Sequence, residues 1–316
     1  MDDETSLESY LFYRHRRPSV EPPGMLPAGK DVKVAAKEGY PLAATVFDPP
    51  PDKDRAERLV VIASATGVRR RYYAPFAAWL AARGTRVVTF DYRGIGGSRP
   101  EHLPSLDASL IDWAELDLGS VLEWAAKTWG NGKTSVMGHS VGGQLLGLLP
   151  DPTILRAVVM VSSQSGDYRL WPGFAERAWY GALWHAVVPG LASTFGYLPG
   201  ALGIGEDLPG GVARQWAAWC RTPGYMVGGD GHSRRELYRR LEAPVLAFGF
   251  DDDEYAPPGA VSALLSLYEN APITRRQVPR AEARVGHFGF FRERFRSSLW
   301  REAAEFLDEH ARTATG

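Results

Sequence analysis

The sequence predicts an α/β fold in which one mostly parallel sheet is covered by helices on both faces. Three observations carry that expectation. Short β-branched runs alternate with longer helical stretches over most of the 316 residues. Two strand-like runs around the Glu38-Gly39-Tyr40 turn precede that alternation and read as a hairpin. The composition, 45% hydrophobic and 23% charged, is that of a soluble chain able to bury a core without staples. Strand–helix alternation brings successive strands back in the same direction, so the sheet is mostly parallel and its chemistry gathers at the C-terminal strand ends.

The elements follow in order. Residues 1–30 begin acidic and become proline-rich from Arg16 to Lys30 without an apolar period, which reads as an N-terminal arm. Strands are expected at Asp31–Ala36, Leu42–Phe47, Leu59–Ser64, Arg86–Asp91, Thr134–Met137, Ala157–Ser162, Val245–Phe250 and Ile273–Val278, where Val, Ile, Thr and Phe concentrate. Helices are expected at Tyr72–Arg83, Ser109–Trp129, Gly142–Leu149, Pro258–Glu269 and Arg292–Ala311. The strand rhythm stops between about Gly166 and Glu242. That interruption divides the chain into a core, residues 31–165 and 243–316, and an insertion, residues 166–242.

Charge and cysteine content exclude several functions. With 36 basic against 37 acidic residues the chain lacks the basic excess of a nucleic-acid partner, and Arg69-Arg70-Arg71 is too short to supply one. Cys220, the one cysteine, excludes an intramolecular disulfide and any multi-cysteine metal site and reads as small packing. The start MDDETSLES has neither the basic nor the apolar region of a secretory signal, so a cytoplasmic location is expected. Ala178 to Gly205 runs 28 residues without Asp, Glu, Lys or Arg. Its many glycines, with Pro189 and Pro199, break it into short pieces, so buried helices or an apolar lid are expected rather than stable membrane insertion.

The most informative stretch is Val136-Met137-Gly138-His139-Ser140-Val141-Gly142-Gly143, a strand that meets G-x-S-x-G where a helix begins. A serine in so tight a turn is presented at the sheet edge above the positive end of the helix, and glycines let neighbouring backbone pass without a Cβ clash. Ser140 is the candidate nucleophile, with His139 as a packing neighbour. It needs a base, and this context calls for the chain order Ser, then Asp or Glu, then His. Downstream lie His185, His232, His287 and His310. His287 follows Gly286 in a loop between the last strand and the last helix, where a ring can reach back over the strand ends. The acid is expected after the strand Val245–Phe250, where Asp251-Asp252-Asp253-Glu254 follows. Four adjacent carboxylates cannot all be buried as ions, so one faces the histidine while the others face water or cap the next helix. Spacing from Gly249 favours Asp252, with Asp253 and then Asp167 as alternatives.

These residues, together with Asp91-Tyr92-Arg93-Gly94-Ile95-Gly96-Gly97-Ser98, make the chain resemble the α/β-hydrolase superfamily over about residues 31–165 and 243–316. The second motif is similar to that family's D-x-R-G-x-G-x-S loop, whose role there is structural, so Arg93 is not expected to be catalytic. More loosely, Ala65-Thr66-Gly67-Val68 and Gly286-His287-Phe288-Gly289-Phe290-Phe291 resemble bacterial hydrolases of the serine aminopeptidase-like branch. The resemblance implies acyl transfer through a covalent intermediate on Ser140, with His287 as base and Asp252 orienting it. It calls for no metal and no organic cofactor. Where many members have His-Gly after the strand Leu59–Ser64, this chain has Ser64-Ala65-Thr66-Gly67. An oxyanion hole needs backbone N–H donors, expected here from Val141 and from the Ala65–Val68 turn, most simply Thr66.

The insertion falls where this family commonly places a helical cap. It holds Trp171, Trp179, Trp184, Trp216 and Trp219, five of the ten tryptophans. They are candidates either for a substrate pocket or for the cap's own core. An apolar cap favours a small or medium hydrophobic acyl group, so the expected activity is hydrolysis of a carboxylic ester, lactone or thioester. An acyltransferase with the same residues is the enzyme alternative; a peptidase or a non-catalytic ligand-binding homologue comes after it.

Overall fold

The computed structural model describes residues 26–52, 58–129, 133–203, 205–229 and 232–312. The expected N-terminal arm lies outside the described residues as far as residue 25. The strands are β1 (Lys30–Ala35), β2 (Pro41–Phe47), β3 (Leu59–Ala63), β4 (Arg86–Phe90), β5 (Thr134–His139), β6 (Leu155–Val161), β7 (Tyr197–Leu198), β8 (Leu208–Pro209), β9 (Val245–Phe250) and β10 (Ile273–Val278). Eight of them form one sheet in the order β1-β2-β4-β3-β5-β6-β9-β10. Only β2 runs against its neighbours β1 and β4; every pairing from β4 to β10 is parallel. β7 and β8 make a separate antiparallel ribbon.

The helices are α1 (Ala74–Ala81), α2 (Gly119–Trp129), α3 (Val141–Gln144), α4 (Phe174–Ala182), α5 (Val188–Phe195), α6 (Gly210–Arg221), α7 (His232–Arg239), α8 (Pro258–Leu265) and α9 (Leu299–Arg312). α2 is entered through a short turn at Leu110–Asp112 and a wider π turn at Trp113–Leu118. Ser109 starts this stretch, as its sequence context predicts. Its hydroxyl accepts the Asp112 N–H, and the Asp112 carboxylate accepts the Ser109 N–H at 2.8 Å.

The core lies on both faces of the sheet, and the strands show it by alternation. In β3, Leu59, Val61 and Ala63 join one apolar layer while Val60 and Ile62 join the other. The first layer includes Val121 and Leu122 of α2 and Leu264 of α8; the second includes Phe76 of α1 and Trp300 and Leu307 of α9. A strand buried on both faces reads as a continuous apolar run, as β3 and β9 do, each buried along its whole length.

The differences fall at element ends. β5 runs to His139 rather than Met137, because Gly138 keeps its pairing with Ala63 of β3 and Met160 of β6 while the next helix passes close by. The expected helix over Arg292–Ala311 is a tight turn at Glu293–Phe295 followed by α9. The uncharged run from Ala178 becomes the end of α4, a π turn at Leu183–Val187, and α5, which stops at Gly196 with φ +75°. Among the described residues, no helix is long and apolar enough to cross a membrane.

Candidate active site

β3 lies between β4 and β5, so the chain leaves β3 toward one side of the sheet and later returns on the other. Such a reversal opens a crevice at the C-terminal strand ends. The loop after β3 and the turn after β5 flank it, and those are the segments of Thr66 and Ser140.

Ser140 makes the whole turn between β5 and α3, with φ 52° and ψ −116°. A non-glycine residue there carries about 1–3 kcal/mol of strain, so its surroundings must hold it. The Ser140 N–H donates to Val161 O at 2.9 Å, and its carbonyl accepts from Gly143 N at 3.1 Å and Gln144 N at 3.3 Å. Two glycines make the close approach possible. A Cβ on Gly142 would lie 2.2 Å from Ala63 O, and one on Gly138 would lie 2.5 Å from Gly143 N.

His287 closes over this turn. Its Nε2 lies 3.0 Å from Ser140 Oγ, and its Nδ1 lies 2.9 Å from Asp253 Oδ2 and 3.0 Å from Oδ1. All three residues are buried, the Asp253 side chain completely. The Asp253 Oδ1 also accepts from Tyr255 N at 2.9 Å and Ala256 N at 3.0 Å, so main-chain donors fix the carboxylate. Tyr255 and Phe288 border the imidazole, with ring centroids 5.3 and 4.9 Å from it.

The expected acid is therefore corrected. The carboxylate beside His287 is Asp253, not Asp252. Beyond β9 the chain closes a tight turn, with Asp253 N donating to Phe250 O at 3.2 Å, and that turn swings the third residue back under the imidazole. Asp252 instead accepts from Gly286 N at 2.9 Å, directly before His287. Asp167 is turned elsewhere, accepting from Arg169 N at 3.1 Å and Gly224 N at 3.0 Å.

Of the other histidines downstream of Ser140, His185 packs on Tyr168 and His310 bonds to Phe306 O within α9. The side chain of His232 lies outside the described residues. His139, upstream, is fully buried beside Ser140, and burial pushes its pKa down to about 3, so the ring stays neutral.

Val141 opens α3, so its N–H belongs to the first helical turn, whose donors have no acceptor within the helix. The turn after β3 is closed by Val68 N donating to Ala65 O at 3.1 Å, and Thr66 within it is half-buried. The Ala65 N–H is committed to Tyr73 Oη at 2.8 Å.

The five tryptophans of the insertion separate into different settings. Trp184 and Trp219 are buried in the apolar layer on one face of the sheet, and the ring of half-buried Trp216 packs against Trp184 at a tilt of 57°, with centroids 4.7 Å apart. Trp179 is 64% exposed. Trp171 is the one that reaches the acid loop, donating its indole N–H to Glu254 O at 2.9 Å. The insertion also touches the loop after β3, where Glu206 N donates to Gly67 O at 2.9 Å and the Glu206 carboxylate pairs with Arg69. Buried Cys220 packs in the same layer as Trp219.

Arg93 lies away from this geometry, donating Nε–H to Asp117 at 2.8 Å, and Asp91 ties Arg70 N at 2.6 Å to Gly97 N at 2.9 Å. Both acids are fully buried and bind arginine, so this motif holds its own loop together. Sequence reasoning missed Tyr73 and Tyr255. Tyr255 carried a usable signal, an aromatic directly after the acidic run; Tyr73, at the head of α1, carried none. Among the described residues no group of three or more His, Cys, Asp or Glu side chains is arranged to hold a metal ion.

The comparison with curated proteins gives no match. Solved structures show the fold at low identity. A hypothetical protein from Pseudomonas aeruginosa superposes with a TM-score of 0.63 at 16% identity, covering 92% of this chain and 96% of that one. An esterase of Pyrococcus furiosus gives 0.59 at 14% identity, covering 92% and 96%. Est1E from Butyrivibrio proteoclasticus gives 0.55 at 18%, covering 90% and 99%. The family model described as the alpha/beta hydrolase family matches residues 59–296, more than half of the sequence. The chain belongs to the alpha/beta hydrolase family.

Proposed function

We propose that this protein is a serine hydrolase that cleaves a small or medium hydrophobic carboxylic ester through an acyl-enzyme on Ser140. The observation that carries the reading is the contiguous arrangement Ser140 Oγ, His287, Asp253, with 3.0 Å on the serine side of the ring and 2.9 Å on the acid side. The strained turn at Ser140 supports the same reading, since strain of this kind persists where the surroundings enforce it for a purpose.

In this mechanism Ser140 Oγ attacks the ester carbonyl carbon while His287 Nε2 takes its proton. Asp253 holds the proton on Nδ1, so that Nε2 is the basic nitrogen, and stabilises the imidazolium that forms. The N–H groups of Val141 and Thr66 receive the developing oxyanion. His287 then gives the proton to the departing alkoxide, leaving the acyl group on Ser140. A water molecule, losing its proton to the same nitrogen, attacks the acyl carbon; the acid leaves and Ser140 regains its proton. The scheme uses no cofactor.

An apolar acyl group is favoured by the insertion, which we read as a cap. It brings Trp171 to the acid loop and carries no charged residue from Ala178 to Gly205. The solved neighbours that are esterases fit this reading.

Labelling with a fluorophosphonate probe tests the nucleophile. The native protein is expected to label and Ser140→Ala is not; a native protein that stays unlabelled, or a variant that labels equally, overturns the reading. An ester panel graded by acyl length then fixes the substrate range, and product analysis with an added alcohol separates hydrolysis from acyl transfer.

A further inference from the structure

We propose that His139, acting with Tyr73, is a positioning residue for the general base: a buried relay of three hydrogen bonds ties the turn after β3 to the main chain of His287. The inference rests on the role given to His287 above and adds to it the means by which the imidazole is kept in place.

The relay runs from Ala65 N to Tyr73 Oη at 2.8 Å, from Tyr73 Oη to His139 Nδ1 at 2.9 Å, and from His139 Nε2 to the His287 carbonyl at 2.9 Å. Its direction follows from what each group can do. A carbonyl only accepts, so His139 Nε2 carries the hydrogen. The ring is neutral, because burial lowers its pKa to about 3, so Nδ1 is left as an acceptor. Tyr73 must then donate its hydroxyl, and its oxygen is left to accept the Ala65 N–H. Burial also holds the Tyr73 hydroxyl well above its ordinary range, which keeps that proton in place. Every donor in the relay has one acceptor.

The surroundings are built to keep it dry and still. Tyr73 and His139 are fully buried, and Phe291 packs against both, 4.7 Å from the tyrosine ring and 5.2 Å from the imidazole. The relay is one of three attachments on consecutive residues of the histidine loop. Gly286 N is held by Asp252 at 2.9 Å, the His287 carbonyl by His139, and the Phe288 carbonyl by the Tyr72 hydroxyl. Residues 286–288 belong to no strand or helix, so side chains supply what a ladder supplies elsewhere.

A purely structural histidine would stabilise the fold and leave the chemistry alone. What sets this one apart is where its bond ends: on the main chain of the residue whose ring lies 3.0 Å from Ser140 Oγ. A displacement of about 1 Å between reacting groups costs about 100-fold in rate, so a loose His287 backbone registers in turnover.

The test compares Tyr73→Phe, His139→Leu and His139→Gln with the native protein, below the melting temperature of each. The readouts are kcat and KM on an ester and the second-order rate of fluorophosphonate labelling. Tyr73→Phe and His139→Leu are expected to lower kcat and the labelling rate together, by about 10- to 100-fold, with KM little changed. His139→Gln, whose amide N–H can still reach the His287 carbonyl, is expected to recover most of that loss. Should His139→Leu not fold, Tyr73→Phe, which deletes one oxygen, carries the comparison. Folded variants that label at the native rate overturn the relay while the triad stands. A native protein that does not label overturns the triad, and the relay with it.

Discussion

Three consecutive aspartates share the loop after β9, and each has a different partner. Asp251 accepts from Gln277 Nε2 at 2.8 Å, Asp252 from Gly286 N at 2.9 Å, and Asp253 holds His287. Asp253→Asn is therefore expected to lower kcat by about 10⁴-fold, because an amide beside Nδ1 no longer enforces the reactive tautomer. Asp252→Asn keeps an oxygen for Gly286 N and is expected to stay within about threefold of native, as substitutions that conserve a hydrogen-bond partner do. Steady-state kinetics on one ester decides between them, and the reverse order of effects would return the role to Asp252. The sequence located this loop, since four acids after an apolar strand are conspicuous. It could not select the residue, because at a strand end the direction of a side chain depends on how the chain turns. The bond from Asp253 N to Phe250 O sets that direction, and spacing from Gly249 does not contain it.

At the scale of elements, the junction of β5 with α3 was the most legible part of the molecule. Gly-His-Ser-Val-Gly combines a strand, a serine and glycines, and each glycine has a steric reason to be there. A methyl group on Gly142 would sit 2.2 Å from the carbonyl oxygen of Ala63 on the neighbouring strand, which is backbone and cannot swing aside. Gly142→Ala is expected to cost about 1–3 kcal/mol of stability, the range of overpacked sites, and to displace Ser140 in doing so. Urea denaturation read with fluorophosphonate labelling checks both, and a variant with native midpoint and labelling rate would refute the steric account. The helices between β6 and β9 were far less legible, for a physical reason. α4 buries none of its residues, and α4 and α5 are joined through a π turn, so no single 3.6-residue apolar stripe runs along them. The ribbon of β7 and β8 is two residues on each side, too short for any alternation.

For the whole molecule, a count of tryptophans becomes a map of what the insertion does. The bulk figure of ten gave no hint that those between β6 and β9 divide between core and surface. Trp184 is 6% exposed and packs with Val188, Ala192 and Ala213 in the layer that continues into the sheet's own core, whereas Trp179, one turn earlier on the same helical stretch, is 64% exposed. An apolar ring left in water contributes nothing to folding, and an apolar ring buried in a close-packed layer leaves a cavity when it is removed. Trp184→Ala is accordingly expected to lower unfolding stability by about 3–5 kcal/mol. Trp179→Ala is expected to change it by less than about 0.5 kcal/mol. The pair also tests whether the insertion and the sheet unfold together. Because Trp184 belongs to the layer that holds Leu145 and Leu146, just after the Ser140 turn, its loss should shift a single urea transition seen both by circular dichroism and by intrinsic fluorescence. Two separated transitions would mean that the insertion melts as its own unit, and its hold on the loops at Gly67 and Glu254 would then be a contact between independent bodies rather than part of one core.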